Sequence, residues 1–538
     1  MKEMYQPNNS HRRKRLFGIE NTLPKKLQKK LKTTMYPLFY ESVFCQIDES
    51  KFAPLYSEKA SRPNCPVNIF VGLEIFKHLF VLSDEQLMEN FYFDVRYQVA
   101  FGIQEMDEAL YSLKSLYNFR RRILLYEEKT GINLIKEVFD ELVMGFIEAT
   151  GTSTQIIRMD STQLHSKMKA LSRIDIMSRT LLRFIRELSQ EEQSKYKEYA
   201  PYLNKEELST CLAKIKHEDE SLKTIATEIV IILKRYESSD YAQTKAYGLL
   251  ERVLTDQTII IDEQLEIKDN KDIAPDSCQS PVDEDATYRK KGGKGYHGYC
   301  ANISETADKD NETQLITSVS VEPNIYSDIA FLKDELEDLK AKTDMDILIV
   351  DGGYTNEATR ELAKESNTTL IETGIKGKRP EKTTEDFDID EEKGIMRCPA
   401  GKKPMQTRIR SGKAQGLFSH EDCQDCPYRE NCFAKKQMKG MKVDIALSRY
   451  ARDKQRAYSE TKEFYDLKRL RAGVEGAIST LKRKGLNAIQ VVGKTRVRMT
   501  VTYAAIASNF KRLFKVTTKR RKAIQKAFSP QSVWVNAV

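Results

Sequence analysis

Between Asn68 and Leu82 the chain reads NIFVGLEIFKHLFVL, apolar at helical spacing and interrupted by Glu74, Lys77 and His78. The run is too short and too charged to span a bilayer. Ser83 stands where a helix N-cap belongs, ahead of a second periodic stretch, EQLMENFYFDVRYQVAF. Ser112–Tyr126 and Asn133–Ile147 carry the same period, and a short helix is expected around Lys25–Lys32. The first 150 residues therefore predict a helical unit.

After Gly151 the period changes. TQIIRMDSTQL predicts a buried strand that ends at Asp160. Ile174–Thr255 returns to helical spacing and predicts a helical insertion, followed by a polar, acidic loop over 263–290. GYHGYCANISE and QLITSVSVEP predict a strand pair, and Ser327–Lys342 a helix. ILIVD is an apolar strand ending at Asp351, before a Gly pair and another helix; TLIETGI is a further strand. Residues 377–440 are polar and Cys-containing, a second insertion, and helix resumes from about Arg452 past Lys482. Strands alternating with helices predict an α/β core interrupted twice. Sites in such sheets form at the C-terminal ends of the strands.

Charge adds a partner. The 538 residues carry a net +9, unevenly spread. From Lys468 to Val538 there are 17 Lys or Arg and one acid, Glu475; Met1–Tyr36 holds 10 basic and two acidic residues. The stretch between is acidic. Basic ends suit a polyanion, nucleic acid first, or are solvated helices and tails. The helical unit is correspondingly either a plain helical domain or a helix-turn-helix DNA module. No secretory h-region follows the start MKEMYQPNNSHRRKRLF, so the expected setting is cytoplasmic.

Three acids stand out. Asp160 and Asp351 each follow a buried apolar run, where a carboxylate is costly unless it caps a turn or binds a cation. Two such strand-end carboxylates converging on one site can hold Mg²⁺, a hard cation suited to oxygen donors. In YDLKRLRAGVEGAISTLKRKG, Lys468, Arg471, Glu475 and Lys482 share one helical face beside a Val474, Ile478, Leu481 stripe. Gly473 and Gly476 flank the acid and allow a close approach. An ordinary Arg471–Glu475 surface pair is the alternative.

MDSTQ, IVDGGY and R-AGV-E-GAISTL-K together resemble the motifs of bacterial insertion-sequence transposases of the DDE type, in the branch with a helical N-terminal region and a Cys-containing insertion before the last acid. FRRRI near residue 120, SPVDEDA near 283 (with Asp283 and Asp285) and the late ASNFKRL fit the same branch. The resemblance spans roughly residues 30 to 515. It implies an α/β, ribonuclease-H-like catalytic core over 151–515, with a helical insertion at about 171–260 and a Cys-rich one at about 377–440. An N-terminal basic arm (1–36), an all-α domain (37–150) and a basic tail (516–538) complete the chain. It implies Asp160, Asp351 and Glu475 as catalytic ligands of two Mg²⁺ or Mn²⁺ ions, and Arg471, Lys482 and Lys468 as phosphate contacts. Lys468 stands where related groups have a tyrosine, which removes any tyrosine-dependent role. The implied activity is hydrolysis at element ends and strand transfer into target DNA. The implied partners are duplex DNA, as terminal inverted repeats and target, and further copies of the chain, a homodimer or larger. A DNA-binding repressor without catalysis, or a nuclease without strand transfer, would use the same basic ends.

Of nine cysteines, Cys398, Cys423, Cys426 and Cys432 cluster as C-x₂₄-C-x₂-C-x₅-C. They read as a structural zinc site holding an insertion without its own core, or as four unrelated thiols. His165, His297 and the run GGKGYHG (292–298) read as structural: a pair of satisfied polar residues and a strand entry. Lone Trp534 carries no reading.

Overall fold

The computed structural model describes residues 5–12, 22–56, 64–104, 111–168, 171–197, 199, 203, 218–261, 264–374 and 380–527. Part of the basic arm (13–21), Cys211, and residues 528–538 with Trp534 lie outside them.

The N-terminal part is helical: α1 (Lys25–Leu31), α2 (Met35–Ser42), α3 (Val67–Phe80), α4 (Asp84–Phe93), α5 (Val95–Ala100), α6 (Leu113–Thr130) and α7 (Leu134–Thr150). Ser83 and Gln86 form a reciprocal capping box at α4, and Ser112 and Asn133 cap α6 and α7. Arg120, from FRRRI, pairs with Glu74 of α3 and Asp84 of α4, each at 2.6 Å, and so ties three helices together.

β1 (Ile156–His165) opens the α/β part. The helical insertion follows as α8 (Arg173–Glu187), α9 (Gln190–Gln193), α10 (Glu218–Tyr236) and α11 (Lys245–Gln257), packed on a core of its own that includes Leu181, Phe184, Ile229 and Leu250. A hairpin, β2 (Thr258–Ile261) and β3 (Gln264–Ile267), follows, its second strand lying in the stretch expected as loop. The sheet resumes with β4 (Thr287–Lys291), β5 (Lys294–Thr306) and β6 (Ile316–Pro323). Then come α12 (Asp328–Lys342), β7 (Ile347–Val350), α13 (Glu357–Glu365) and β8 (Thr369–Glu372). β5 lies antiparallel between β6 and β1, while β1, β7 and β8 run parallel; β4 extends the first half of β5.

The Cys-rich insertion holds a hairpin, β9 (Asp388–Asp390) and β10 (Gly394–Arg397), and a four-stranded sheet. The sheet strands are β11 (Gln406–Arg410), β12 (Lys413–Phe418), β13 (Lys435–Gln437) and β14 (Gly440–Ala446), with α14 (His420–Gln424) between β12 and β13. This corrects one expectation: the insertion has its own apolar core, with Phe387, Ile395, Phe418, Val443 and Ile445 buried. Alternation hides part of that core in the sequence, because Phe387 and Val443 each sit between two charged residues.

α15 (Leu447–Tyr458), α16 (Lys462–Arg483) and α17 (Lys494–Ala527) complete the chain. One sheet face packs Ile157, Met159, Leu348 and Val350 on α12 and α13; on the other, Ile349 and Ile371 meet Phe464 of α16. α17 joins the N-terminal helices and the β5–β6 side of the sheet in one shared core. Asn509, from ASNFKRL, exchanges hydrogen bonds of 2.9 and 2.8 Å with the Ile316 backbone. α17 enters the stretch expected as tail and runs to Ala527, with a kink at Arg520, whose Nε reaches Glu312 at 3.0 Å. Among the described residues no helix is long and apolar enough to cross a membrane.

Candidate active site

The β1–β7 ladder pairs Ile156 with Ile347, Ile157 with Leu348 and Arg158 with Ile349. Carried two residues further, this register sets Asp160 beside Asp351, just where the ladder ends. Adjacent strands lie about 4.8 Å apart. Asp160 is not the end of its strand, as expected from sequence; β1 continues to His165 because β5 stays paired along its whole length. Only the parallel neighbour stops, so the two acids flank the split.

By alternation Asp160 shares a face with Arg158, and Asp351 with Ile349: the face that α16 covers. Arg471 of α16 donates from Nη2 to Asp160 Oδ2 at 3.0 Å, and its Nη1 lies 3.8 Å from Glu475 Oε1. One guanidinium thus stands between a strand carboxylate and the helix carboxylate. Burial pushes the Asp160 carboxyl above its ordinary range; Asp351 and Asp328 push the same way, while Arg471 and the Ser161 N–H oppose them. Glu475 is 68% exposed. Asp351 caps nothing: α13 is capped by Asn356, and the Asp351 carboxylate has no hydrogen bond or ion pair among the described residues. Its Gly pair has a local use, since a Cβ on Gly352 would lie 2.2 Å from the Gly374 carbonyl oxygen.

α16 is pinned in place by Arg158. This buried side chain donates to Glu305 Oε2 at 2.8 Å and to the Leu470 carbonyl of α16 at 2.6 Å. Gly473 admits it, because a Cβ there would stand 2.0 Å from Arg158 Nη1; around Gly476 nothing lies within 4 Å. The two glycines therefore part company. Gly→Ala in a helix ordinarily gains up to about 1 kcal/mol. Gly476→Ala should show that gain, whereas Gly473→Ala should lose about 1–3 kcal/mol by overpacking. Denaturant midpoints moving in the same direction would contradict this account.

Of the expected phosphate contacts, Lys468 is exposed and Lys482 half-buried, on the same side of α16 as Glu475. Asp328 does not stand out in the sequence. It opens α12 behind the Ser327 cap, accepts from Ser161 Oγ at 2.7 Å, and lies near enough to Asp160 to raise it. Its only sequence signal is Ser-Asp at a helix start, which many capped helices give. Asp283 is buried and accepts from Ser166 and Tyr299, anchoring the chain beyond β1. GGKGYHG is the β4–β5 turn and the start of β5, and His165 stacks on Tyr296 with ring centroids 5.0 Å apart.

Cys398, Cys423, Cys426 and Cys432 are all half-buried. Burial raises the Cys423 thiol, and the other three add to that, so the four are neighbours. Among the described residues no three His, Cys, Asp or Glu side chains are gathered into a group able to hold a metal ion. That holds for these thiols and for the carboxylates alike. The donor chemistry of each set still fits: oxygens for Mg²⁺ or Mn²⁺, thiolates for zinc.

Two family models match. One, described as a transposase DDE domain, covers residues 397–514 and so takes in the Cys cluster, Arg471, Glu475 and Lys482. The other, a transposase domain (DUF772), covers residues 27–122, from α1 into α6. No curated protein and no solved structure matches the chain. The two matches, one towards each end of the chain, indicate an insertion-sequence transposase of the DDE type.

Proposed function

We propose that this chain is the transposition enzyme of its element, cutting DNA at the element ends and joining the freed 3′-hydroxyl to target DNA. The observation that carries the reading is the register of β1 against β7, which sets Asp160 beside Asp351 under the helix bearing Glu475. The strand order, with β6, β5 and β1 antiparallel and β1, β7 and β8 parallel, supports a ribonuclease-H-like core.

In this reading Asp160, Asp351 and Glu475 hold two Mg²⁺ or Mn²⁺ ions. Such a pair, when bound, supplies activation of the attacking water or hydroxyl and stabilisation of the leaving oxygen. The chain's own residues do the rest. Arg471, now on Asp160, offsets the charge of the acids and is placed to take a phosphate oxygen; a guanidinium can do so with two hydrogen bonds. Lys482 and Lys468 add point charges along the same helix. Arg158 and Gly473 fix the height of Glu475 over the strands. Further copies of the chain would bring two element ends together.

The test is incubation with DNA carrying the element's own ends, with Mg²⁺ or EDTA. Nicks exposing a 3′-hydroxyl at the ends, followed by joined products, are expected only with metal. Nicking without joining would reduce the reading to a nuclease, and metal-independent or absent nicking would remove it.

The Cys-rich insertion should carry about one zinc per chain on Cys398, Cys423, Cys426 and Cys432. Binding would draw the four neighbouring thiols together. Chelation should then open residues 380–446 to proteolysis before the main sheet. Elemental analysis finding no zinc in freshly purified protein would overturn this.

A further inference from the structure

A cleft of about 760 Å³ lies between the helical N-terminal part and the end of α16. Seven cations line it against two carboxylates, Glu74 and Asp84. Arg120 and Lys77 are spent on those two. That leaves Lys167, Lys482, Arg483, Lys484 and Arg496, none in an ion pair among the described residues. They come from three separate stretches: the chain after β1, the end of α16, and the start of α17. Lys167 and the α17 side are joined by a backbone hydrogen bond from Lys167 N–H to the Val491 carbonyl at 3.4 Å.

Lys484 is the telling member. It is only 6% exposed, yet its hydrogen-bond partner is neutral: Nζ donates to the Leu79 carbonyl at 3.2 Å. That carbonyl is at the C-terminal end of α3, where a cation is favoured, and this gives Lys484 a local structural role. Among the described residues the other two ammonium protons have no acceptor, and the Leu79 carbonyl does not account for the other four cations. A buried charge without a counter-ion is costly. Burial and the nearby Lys511 push the Lys484 ammonium down to about 8, as expected for a cation short of negative charge.

The position of the cleft is as informative as its charge. Lys482 follows Glu475 by seven residues on the same helix, or about 10 Å at 1.5 Å per residue. At about 3.4 Å of rise per nucleotide along one strand, this is roughly three nucleotides.

We propose that this cleft seats the sugar–phosphate backbone of duplex DNA, roughly three nucleotides from the bond held at the carboxylates, with Lys167, Lys482, Lys484 and Arg496 as its phosphate contacts. The proposal rests on the transposase reading above and gives its DNA a place. It also makes the N-terminal helices one wall of the DNA path, since Lys484 is held by α3.

The test uses the full chain and a fluorescent duplex of random sequence, with anisotropy titrations over a range of KCl. The exposed pair Lys167→Gln with Arg496→Gln carries no folding risk; Lys484→Met keeps the buried stem and removes the charge. Lys271→Gln, on the helical insertion's side of the molecule, is the control. The double variant should flatten the dependence of log K on log salt by about 0.9 for each phosphate it no longer neutralises, so by about 2, and weaken all sequences alike. Lys484→Met should flatten it by about 1, and Lys271→Gln not at all. Wild-type binding with the same slope in the double variant would overturn the cleft and leave the transposase reading standing. A wild-type chain that binds no duplex even at low salt would overturn both.

Discussion

Replacing Asp160, Asp351 or Glu475 by alanine should each lower metal-dependent DNA cleavage by about 10³-fold or more, which is about 4 kcal/mol of transition-state stabilisation. Duplex binding should survive in all three. The reasoning differs by residue, and so do the controls. Glu475 is 68% exposed, so its removal should shift stability by less than about 0.5 kcal/mol. Loss of cleavage there cannot then be blamed on unfolding. Asp160 is largely buried and bonded to Arg471. Its alanine variant frees that guanidinium, and duplex affinity should hold or rise slightly. Asp351 has no side-chain partner to lose among the described residues, and its variant should fold as the wild type does. Asp160→Asn and Asp351→Asn keep the shape without the charge and should be as inactive. Cleavage retained within tenfold by any one of the three would take that residue out of the site.

Much of this arrangement is legible in the residues, and the gaps have physical causes. Helices α4, α6, α7 and α12 start where Ser or Asn caps stand before an apolar period, because that pairing satisfies orphan N–H groups. The three acids show in local texture. That Asp160 and Asp351 lie side by side does not, since it depends on which strands pair and in what register, and no local pattern encodes that. The end of β1 is hidden because an acid after an apolar run looks like a boundary; the antiparallel neighbour β5 carries the strand five residues beyond it. The core of the Cys-rich insertion is hard to see because its strands are short and two of its buried residues, Phe387 and Val443, stand singly between charged ones. Gly473 does mark a close approach, as its place in the helix suggests, but its visitor, Arg158, lies over 300 positions away in sequence.

Arg158 points to the largest expected effect on stability. Glu305, on β5, is 1% exposed and meets two guanidinium groups: Arg158 of β1 and Arg512 of α17, the latter at 2.6 Å. Arg158 in turn holds the Leu470 carbonyl of α16. One buried carboxylate thus links the first strand to both C-terminal helices. Glu305→Ala would leave Arg158 buried without a counter-charge, and should cost about 3–5 kcal/mol. Glu305→Gln keeps the volume and some hydrogen bonding and should cost less. Such a cluster is not itself a large source of stability, because desolvating its charges offsets most of their attraction. A triple variant, Arg158→Met, Glu305→Leu and Arg512→Met, should therefore recover most of what Glu305→Ala loses. Cleavage separates the two roles. Without the Arg158 bond to Leu470, and with a gap beside Gly473, the Arg471–Asp160 contact is the one polar tie left between α16 and β1 among the described residues. The triple variant should then unfold near the wild-type denaturant midpoint yet cleave poorly, since the proposed site needs α16 to hold Glu475 over Asp160 and Asp351. A triple variant as active as the wild type would mean that apolar packing alone positions α16, and a Glu305→Ala chain of unchanged midpoint would mean that the charges are solvated in solution.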